Sequence, residues 1–414
     1  MLSFSDVRGI ATALTTRAAA RVLAEAGDLI AATDTKRFHD NPYPVLERMR
    51  AKGPVYRGLS GMYALTSHSL ISQALKHPQV KVQPLPGKRD PFTLGTNALE
   101  GSFVVLDAPD HTRLRRITAP AFRPKMMREL RGRIEATTHR LLDHVGTEFD
   151  LMADFANPLP ITVISDLLGI PANETGRFAR YGMIIAEAFD GLNSPAKVRE
   201  YNTAYADIRQ LFSRLMAERR VDPGDDVISI LVAAETEDRM TADEFMTTCM
   251  LLLIAGFETT VNMIGNAAVL FSEHPEQWEL LKAQPDLATN VVEEVLRYES
   301  PVPVLMRFTH DLVQLDGGEV PAGASVLFML GAANRDPAVF PEPHRFDITR
   351  SGSVEHLAFG GGVHYCLGAP LSRLEGDVAF RAMAERFATI KLNGVPARRL
   401  SSSIRGFSAI PVRV

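Results

Sequence analysis

Residues Phe359 to Gly368 read FGGGVHYCLG. The stretch holds one of only two cysteines in a chain of 414 residues. Gly360, Gly361 and Gly362 precede the cysteine, His364 stands two before it and Gly368 two after it. Pro370 marks the first turn of a following helix, where a missing N–H costs nothing. A helix N-terminus favours negative charge and so a thiolate. Glycines let the backbone turn its amides toward the sulfur, and amide–sulfur hydrogen bonds tune a metal-bound thiolate. Cys249 lies in TTCMLLLIAG, an apolar helical pattern. It reads as a small buried hydrophobe, the usual fate of a free cysteine.

Composition narrows the setting of that loop. The chain is 46% hydrophobic and 23% charged, as soluble globular enzymes are. A net charge of -4 gives no global attraction to nucleic acid or an acidic membrane. Two cysteines cannot build a disulfide framework, so a reducing, cytoplasmic setting is expected. Residues 1–35 read as a weakly amphipathic helical leader without a signal-peptide pattern. No run approaches the roughly 18 to 20 uninterrupted apolar residues of a membrane span, so stable insertion is not expected.

The pattern around the loop is mostly helical. NPYPVLERMRAKGPVY ends a helix at Gly53–Pro54 and enters a strand. The segment from Thr241 to Pro275 opens with a capping box, Thr241 with Glu244, and predicts a helix of about 30 residues, roughly 45 Å long. Such a rod crosses the whole core. HPEQWELLKAQPDLATNVVEEVLRYESP predicts two further helices with proline in each first turn. After Pro301 short β runs punctuated by glycine predict a small sheet. The expected fold class is mainly α with a minor β-sheet region, and residues 36–414 read as a single domain.

Several chemistries compete for Cys366. A structural zinc wants four N or S ligands, and the loop offers only His364 beside the sulfur. A cysteine hydrolase wants a base and an orienting carboxylate that the loop does not identify. A phosphate loop wants Lys-Ser/Thr after the glycines, where this chain has Leu367-Gly368. A thiolate given to haem iron needs no further protein ligand in the plane, since the porphyrin supplies four. Here the sequence resembles the cytochromes P450. Their cysteine-loop pattern is matched at Phe359, Gly362, His364, Cys366 and Gly368. The resemblance implies the cytochrome P450 fold with a long central helix crossing the core. It implies haem b as cofactor with Cys366 as the axial iron ligand, Phe359 beside the sulfur and His364 toward a propionate.

Other segments gain meaning beside that loop. In AGFETT, a helix-interior glycine costs about 1 kcal/mol, and Glu258 alone reads as a solvent-facing residue. The family's acid–alcohol pair falls on Glu258 and Thr259, with Ala255 and Gly256 in its small-residue positions. Gly256 is expected to let the helix approach the macrocycle, and Thr259 to bond back to the Ala255 carbonyl. Burial would raise the pKa of Glu258 and suit it to relay protons. Glu294 and Arg297 share a helix face. Alone they read as a surface salt bridge, but the resemblance implies a buried network completed by a later arginine, assigned to Arg345. His111 and Arg115 alone read as a solvated basic face, and Arg307 as an exposed strand residue. In the family such positions hold the propionates.

Thiolate ligation with a proton relay implies a monooxygenase that hydroxylates a hydrophobic substrate. The chain shows no flavin or nicotinamide fingerprint and no iron–sulfur cysteine cluster. A separate ferredoxin or flavodoxin with its reductase is therefore implied, docking near Arg116 and Arg373. The protein is expected to act as a monomer. A haem-thiolate sensor or gas-binding protein, or a peroxide-driven variant, would keep the cysteine loop without needing Glu258 and Thr259. The substrate walls are expected from the loop at 82–100, the segment 181–195 with Met183, Ile184 and Ile185, Leu253, Phe257, residues 302–305 and Phe407.

Overall fold

Thr241 decides where the longest helix begins. Its side chain accepts a hydrogen bond from the Glu244 amide, and its own amide donates to the Glu244 carboxylate at 2.8 Å. The capping box is thus formed, and the helix runs from Ala242 to Glu273 before the His274–Pro275 step stops it. The computed structural model describes residues 18–88, 99–187, 194–237, 239–350, 354–399, 401 and 403–414. Most of the leader, and parts of the expected walls at 82–100 and 181–195, lie outside them.

The longer helices are α1 (Tyr43–Ala51), α2 (His68–Ala74), α3 (Asp110–Thr118), α4 (Pro124–His144), α5 (Pro158–Leu168), α6 (Thr175–Glu187), α7 (Pro195–Val221), α8 (Val227–Thr236), α9 (Ala242–Glu273), α10 (Pro275–Ala283), α11 (Ala288–Tyr298) and α12 (Ala369–Arg386). The expectation of mostly helix with small sheets is met. Pro275 opens α10 as expected, whereas Pro285 sits in a 3-10 turn, Pro285–Leu287, ahead of α11. Strands β1 (Val55–Arg57), β2 (Tyr63–Leu65), β3 (Val80–Lys81), β4 (Leu305–Thr309) and β5 (Ser325–Phe328) form one sheet in the order β1-β2-β5-β4-β3. The β2–β5 pair is parallel and the other pairs are antiparallel. Near the C-terminus β6 (Ala397–Arg398) and β7 (Phe407–Ala409) make a hairpin.

Helix α9 is the axis of the core. It packs on α5, α6, α8, α11 and α12, whose apolar faces supply the largest buried cluster. The helix is long and apolar enough to cross a membrane, but 83% of its most apolar window is buried inside the protein. From Thr248 to Phe271 every residue is buried except Ala255, Gly256 and Thr259. A core helix thus opens at one spot only, within the AGFETT segment. Leu29 and Ile30 pack with Phe38, Val45 and Leu46. A small satellite cluster thus includes residues on both sides of position 36.

Some expected wall residues serve packing. Leu253 and Phe257 are buried, and Gly182 of α6 is pressed against both so closely that a Cβ would lie 2.9 Å from Leu253. They hold α6 to α9. Phe407 is also buried, under the Arg398 guanidinium.

Behind the opening lies an unusual acid. Glu375 of α12 is fully buried and neither carboxyl oxygen has a well-formed hydrogen bond; the nearest polar group is Thr260. Burial raises its pKa to about 8. In the unfolded chain a glutamate ionises near its ordinary value, about 4.3. Between the two values unfolding releases a proton, so rising pH favours the unfolded chain. Glu375→Gln should flatten the fall in melting temperature between about pH 5 and pH 8. Equal falls in both proteins would mean that Glu375 ionises normally.

Candidate functional site

The cysteine loop folds back on itself. The Cys366 amide donates to the Phe359 carbonyl at 2.9 Å. Gly360 and Gly362 have φ of 71° and 63°, a left-handed conformation that glycine adopts at little cost. A Cβ on Gly362 would also overlap the Leu75 carbonyl oxygen at the end of α2. The loop is thus seated on the chain after α2, and only glycine fits there.

Cys366 is an exposed residue, although protein surrounds its sulfur on most sides. Its pKa is pushed up by burial; the Gly368 and Ala369 amides, with Arg115 and Arg373, pull the other way. The expected turning of amides toward the sulfur is present. Cys249 is fully buried and its thiol is pushed above the ordinary range by burial, as an inert core residue's would be. Phe359 is buried between His356 and Tyr365, with the Arg373 guanidinium 4.6 Å over its ring.

The basic residues predicted from separate segments come together. The rings of His111 on α3 and His364 in the loop lie 4.0 Å apart. Burial, then the charges of His111, Arg307, Arg115 and Lys81, lower the pKa of His364 to about 3. Burial lowers Arg307 to about 10. Arg115 donates to the Tyr365 carbonyl at 2.6 Å. Against these cations Asp107 is the carboxylate at hand, 4.0 Å from His364. Both nitrogens of His111 and Nε2 of His364 are buried without a hydrogen-bond partner. Neither a solvated basic face nor an exposed strand arginine describes this cluster. Orphaned donors crowded among cations suit an anionic ligand, as the propionates of a haem beside Cys366 would be. Lys81 joins the group from β3; a lysine on a two-residue strand carried no sequence signal.

The opening in α9 places the next residues. Thr259 Oγ donates back to the Ala255 carbonyl at 3.3 Å, as expected, and Ala255 is exposed. Thr260 Oγ lies 3.3 Å from Ser372 Oγ on α12, so the buried residue next to Thr259 touches the helix after Cys366. Gly256 also has a packing role. A Cβ there would press on Ile164 of α5, at 2.8 Å, so its small size serves helix packing. Glu258 is buried, not solvent-facing, and pairs with Arg399.

The charge network behind the loop is also built differently. Glu294 and Arg297 are both buried and joined by two bonds of 2.7 and 2.8 Å. The third member is Arg350, 3.2 Å from Glu294, and not Arg345. The Arg345 side chain points outward to Glu342 and Asp347 and is 57% exposed. Its carbonyl accepts bonds from Arg297 and Arg350. Arg297 also donates to the Asn334 and Pro343 carbonyls, so one buried guanidinium pins the irregular segment before the cysteine loop. The neighbouring Glu293 grips the loop's two flanks: Arg373 through bonds of 2.6 and 3.0 Å, and His356 at 3.2 Å. Arg373, expected at a docking surface, is thus engaged in holding the loop, while Arg116 is exposed.

Comparison with known proteins agrees with this geometry. The family model for cytochrome P450 matches residues 30–408. The chain is 37% identical to the cytochrome P450 monooxygenase PikC of Streptomyces venezuelae, over 91% of this chain and 92% of that one. It is 39% identical to the 6-deoxyerythronolide B hydroxylase of Saccharopolyspora erythraea, over 74% and 76%. Its fold superposes on the crystal structure of P450BioI bound to an acyl carrier protein carrying hexadec-9Z-enoic acid with a TM-score of 0.84. That match has 33% identity and covers 92% of this chain and 100% of the other. A likeness extending from before α1 to β7 leaves one conclusion: the chain belongs to the cytochrome P450 family of haem-thiolate monooxygenases.

Proposed function

We propose that this enzyme hydroxylates a hydrophobic small molecule with electrons from a separate ferredoxin or flavodoxin and its reductase. The observation that carries the reading is the opening of α9 at Ala255, Gly256 and Thr259, one residue from Thr260, which touches the helix that follows Cys366. Bound haem supplies the activation of dioxygen, with electron density pushed to its iron from the cysteine sulfur. Cys366 would hold the iron and Phe359 would cover the sulfur. His111, Arg115, Arg307 and His364 would hold the propionates, and the glycines Gly362 and Gly368 shape the loop. Thr259 and Glu258 would hold and pass protons at the opening.

The names of relatives support an apolar substrate, since one is a hydroxylase of 6-deoxyerythronolide B and another binds a fatty acyl chain on its carrier protein. Arg116, exposed on α3 next to Arg115, is offered as a docking contact for the electron carrier. Two unpaired cysteines support a reducing, cytoplasmic setting. We take the monomer as the working unit.

Thr259→Ala tests the reading. Haem content and substrate binding should stay intact, because the change removes one hydroxyl and one methyl and costs at most about 1 to 2 kcal/mol. Product per nicotinamide consumed should fall at least about tenfold, with hydrogen peroxide formed instead. Equal coupling in both proteins would remove Thr259 from the reaction. No product from either protein, across a screen of hydrophobic compounds that shift the haem spectrum, would favour a sensor.

A further inference from the structure

A small cavity lies where the hairpin of β6 and β7 meets the short helix Lys36–Asp40. Phe38 and Pro303 form its apolar side, and Arg398 and Ser401 of the hairpin belong to its polar side. It has room for one body of about the size of a water molecule. The polar groups around it are donors. Arg398 Nη1 is buried without a hydrogen-bond partner among the described residues, since Glu299, its ion-pair partner, stays 3.7 Å away. Ser401 Oγ accepts from the Ser403 and Ile404 amides at 3.3 and 3.2 Å, which leaves its own hydrogen to donate. Arg405 and Arg399 reach the same cavity, and each is held by a carboxylate, Arg405 by Glu299 and Arg399 by Glu258.

Charge is out of balance around the cavity. Four guanidiniums, of Arg335, Arg398, Arg399 and Arg405, meet two carboxylates, Glu258 and Glu299. Arg335 adds its charge from between the Tyr43 and Tyr298 rings. The titratable neighbours do not supply the missing negative charge. Tyr43 donates to Glu299 at 2.7 Å, and burial pushes its phenol up, so it keeps its proton. Burial holds His39 below the ordinary histidine value, so it is neutral near pH 7. Asp34, Asp40 and Glu273 also face the group, but they are exposed, where water screens them, and Asp40 is bound to Lys36 at 2.7 Å. Arginine does not give up its charge, and a buried cation short of an anion is costly. Water in the cavity would satisfy Nη1 and leave the surplus, whereas an anion satisfies both. We propose that this cavity is a binding site for a small monatomic anion of the chloride class, held by Arg398 and Ser401. Bound there, the ion fixes Arg398 over the Phe407 ring, 4.2 Å from its centre, and ties the hairpin to the short helix. The site stands apart from the oxidation chemistry and does not depend on it.

Melting of the haem-loaded, full-length protein at fixed ionic strength tests the site. Sodium chloride replaces sodium gluconate, whose anion is too large for the cavity. Haem-loaded protein is used because the propionates would meet the other buried cation cluster, at His111 and Arg307. The melting temperature should rise by about 1 to 3 °C and level off as chloride saturates the site. Arg398→Gln keeps a donor and loses the charge, and should abolish the rise. Arg413→Gln, at an exposed arginine, should keep it. Should Arg398→Gln fail to fold, Ser401→Ala is the second variant, expected to raise the half-saturating chloride concentration about 3- to 10-fold. Bromide should stabilise as chloride does, and crystals grown in bromide should show an anomalous peak between Arg398 and Ser401. No rise in the unaltered protein overturns the proposal, as does an undiminished response in a folded Arg398→Gln or Ser401→Ala protein. A cavity peak without anomalous signal means water, and the site is then not an anion site. A bromide peak without a chloride-dependent rise is binding at crystal concentration only, and equally overturns it.

Discussion

Cys366→Ala is expected to abolish the strongly red-shifted Soret band that reduced haem-thiolate protein gives with carbon monoxide, while Cys249→Ala leaves it unchanged. The two cysteines differ in everything that matters for ligation. Cys366 stands at the start of α12 with two amides directed at its sulfur and exposed surface on one side. Cys249 is fully buried in α9, with its thiol pushed well above the range in which it ionises. No other described residue offers iron a soft anionic donor there, since alanine removes the sulfur and His364 is already turned to His111. Residual absorbance from non-specifically bound haem would lack the shift. If Cys366→Ala retained the band, the ligand would have to be found elsewhere.

The second large effect concerns the buried ion network. Arg297→Met leaves the Glu294 carboxylate in the core without its two-bond partner, and breaking a buried pair costs about 3 to 5 kcal/mol. The same change removes the Arg297 bonds to the Asn334 and Pro343 carbonyls and one of the two bonds to the Arg345 carbonyl. Little or no haem-loaded protein should be recovered. Arg350→Ala should lower melting temperature and haem retention by a smaller but clear amount. Arg345→Ala should stay within about 0.5 kcal/mol of the unaltered protein, as an exposed pair does. Haem-to-protein ratio and melting temperature of the three variants decide the matter. An Arg345→Ala protein as damaged as Arg350→Ala would reinstate the arginine first read from the sequence.

That contrast shows where the sequence was legible. α9 could be read because both of its ends carry local chemistry, a capping box at Thr241 and a proline after His274. The cysteine loop could be read because few uses of a lone sulfur fit glycines before it and a helix after it. Arg345 and Arg350 stand five residues apart in irregular chain, where spacing assigns no face, so nothing local told the inward one from the outward one. Leu253 and Phe257 look alike whether they line a ligand or pack a helix. Gly256 could be seen to need a close neighbour, but the neighbour, Ile164, is distant in sequence. Glu258 taken alone read as solvent-facing, because its buried partner Arg399 is distant in sequence.

Adjacent glutamates on α11 carry a last consequence. Glu294 fixes the irregular segment at Arg297 and Arg350, and Glu293 fixes the loop's flanks at His356 and Arg373. One turn of helix therefore sets the height of both. In a chimera built from two relatives, a crossover between residues 298 and 350 would take that turn from one parent and its clients from the other. Crossovers before 293 or after 373 keep the set intact, and a recombination library should yield haem-loaded proteins mainly from those two groups.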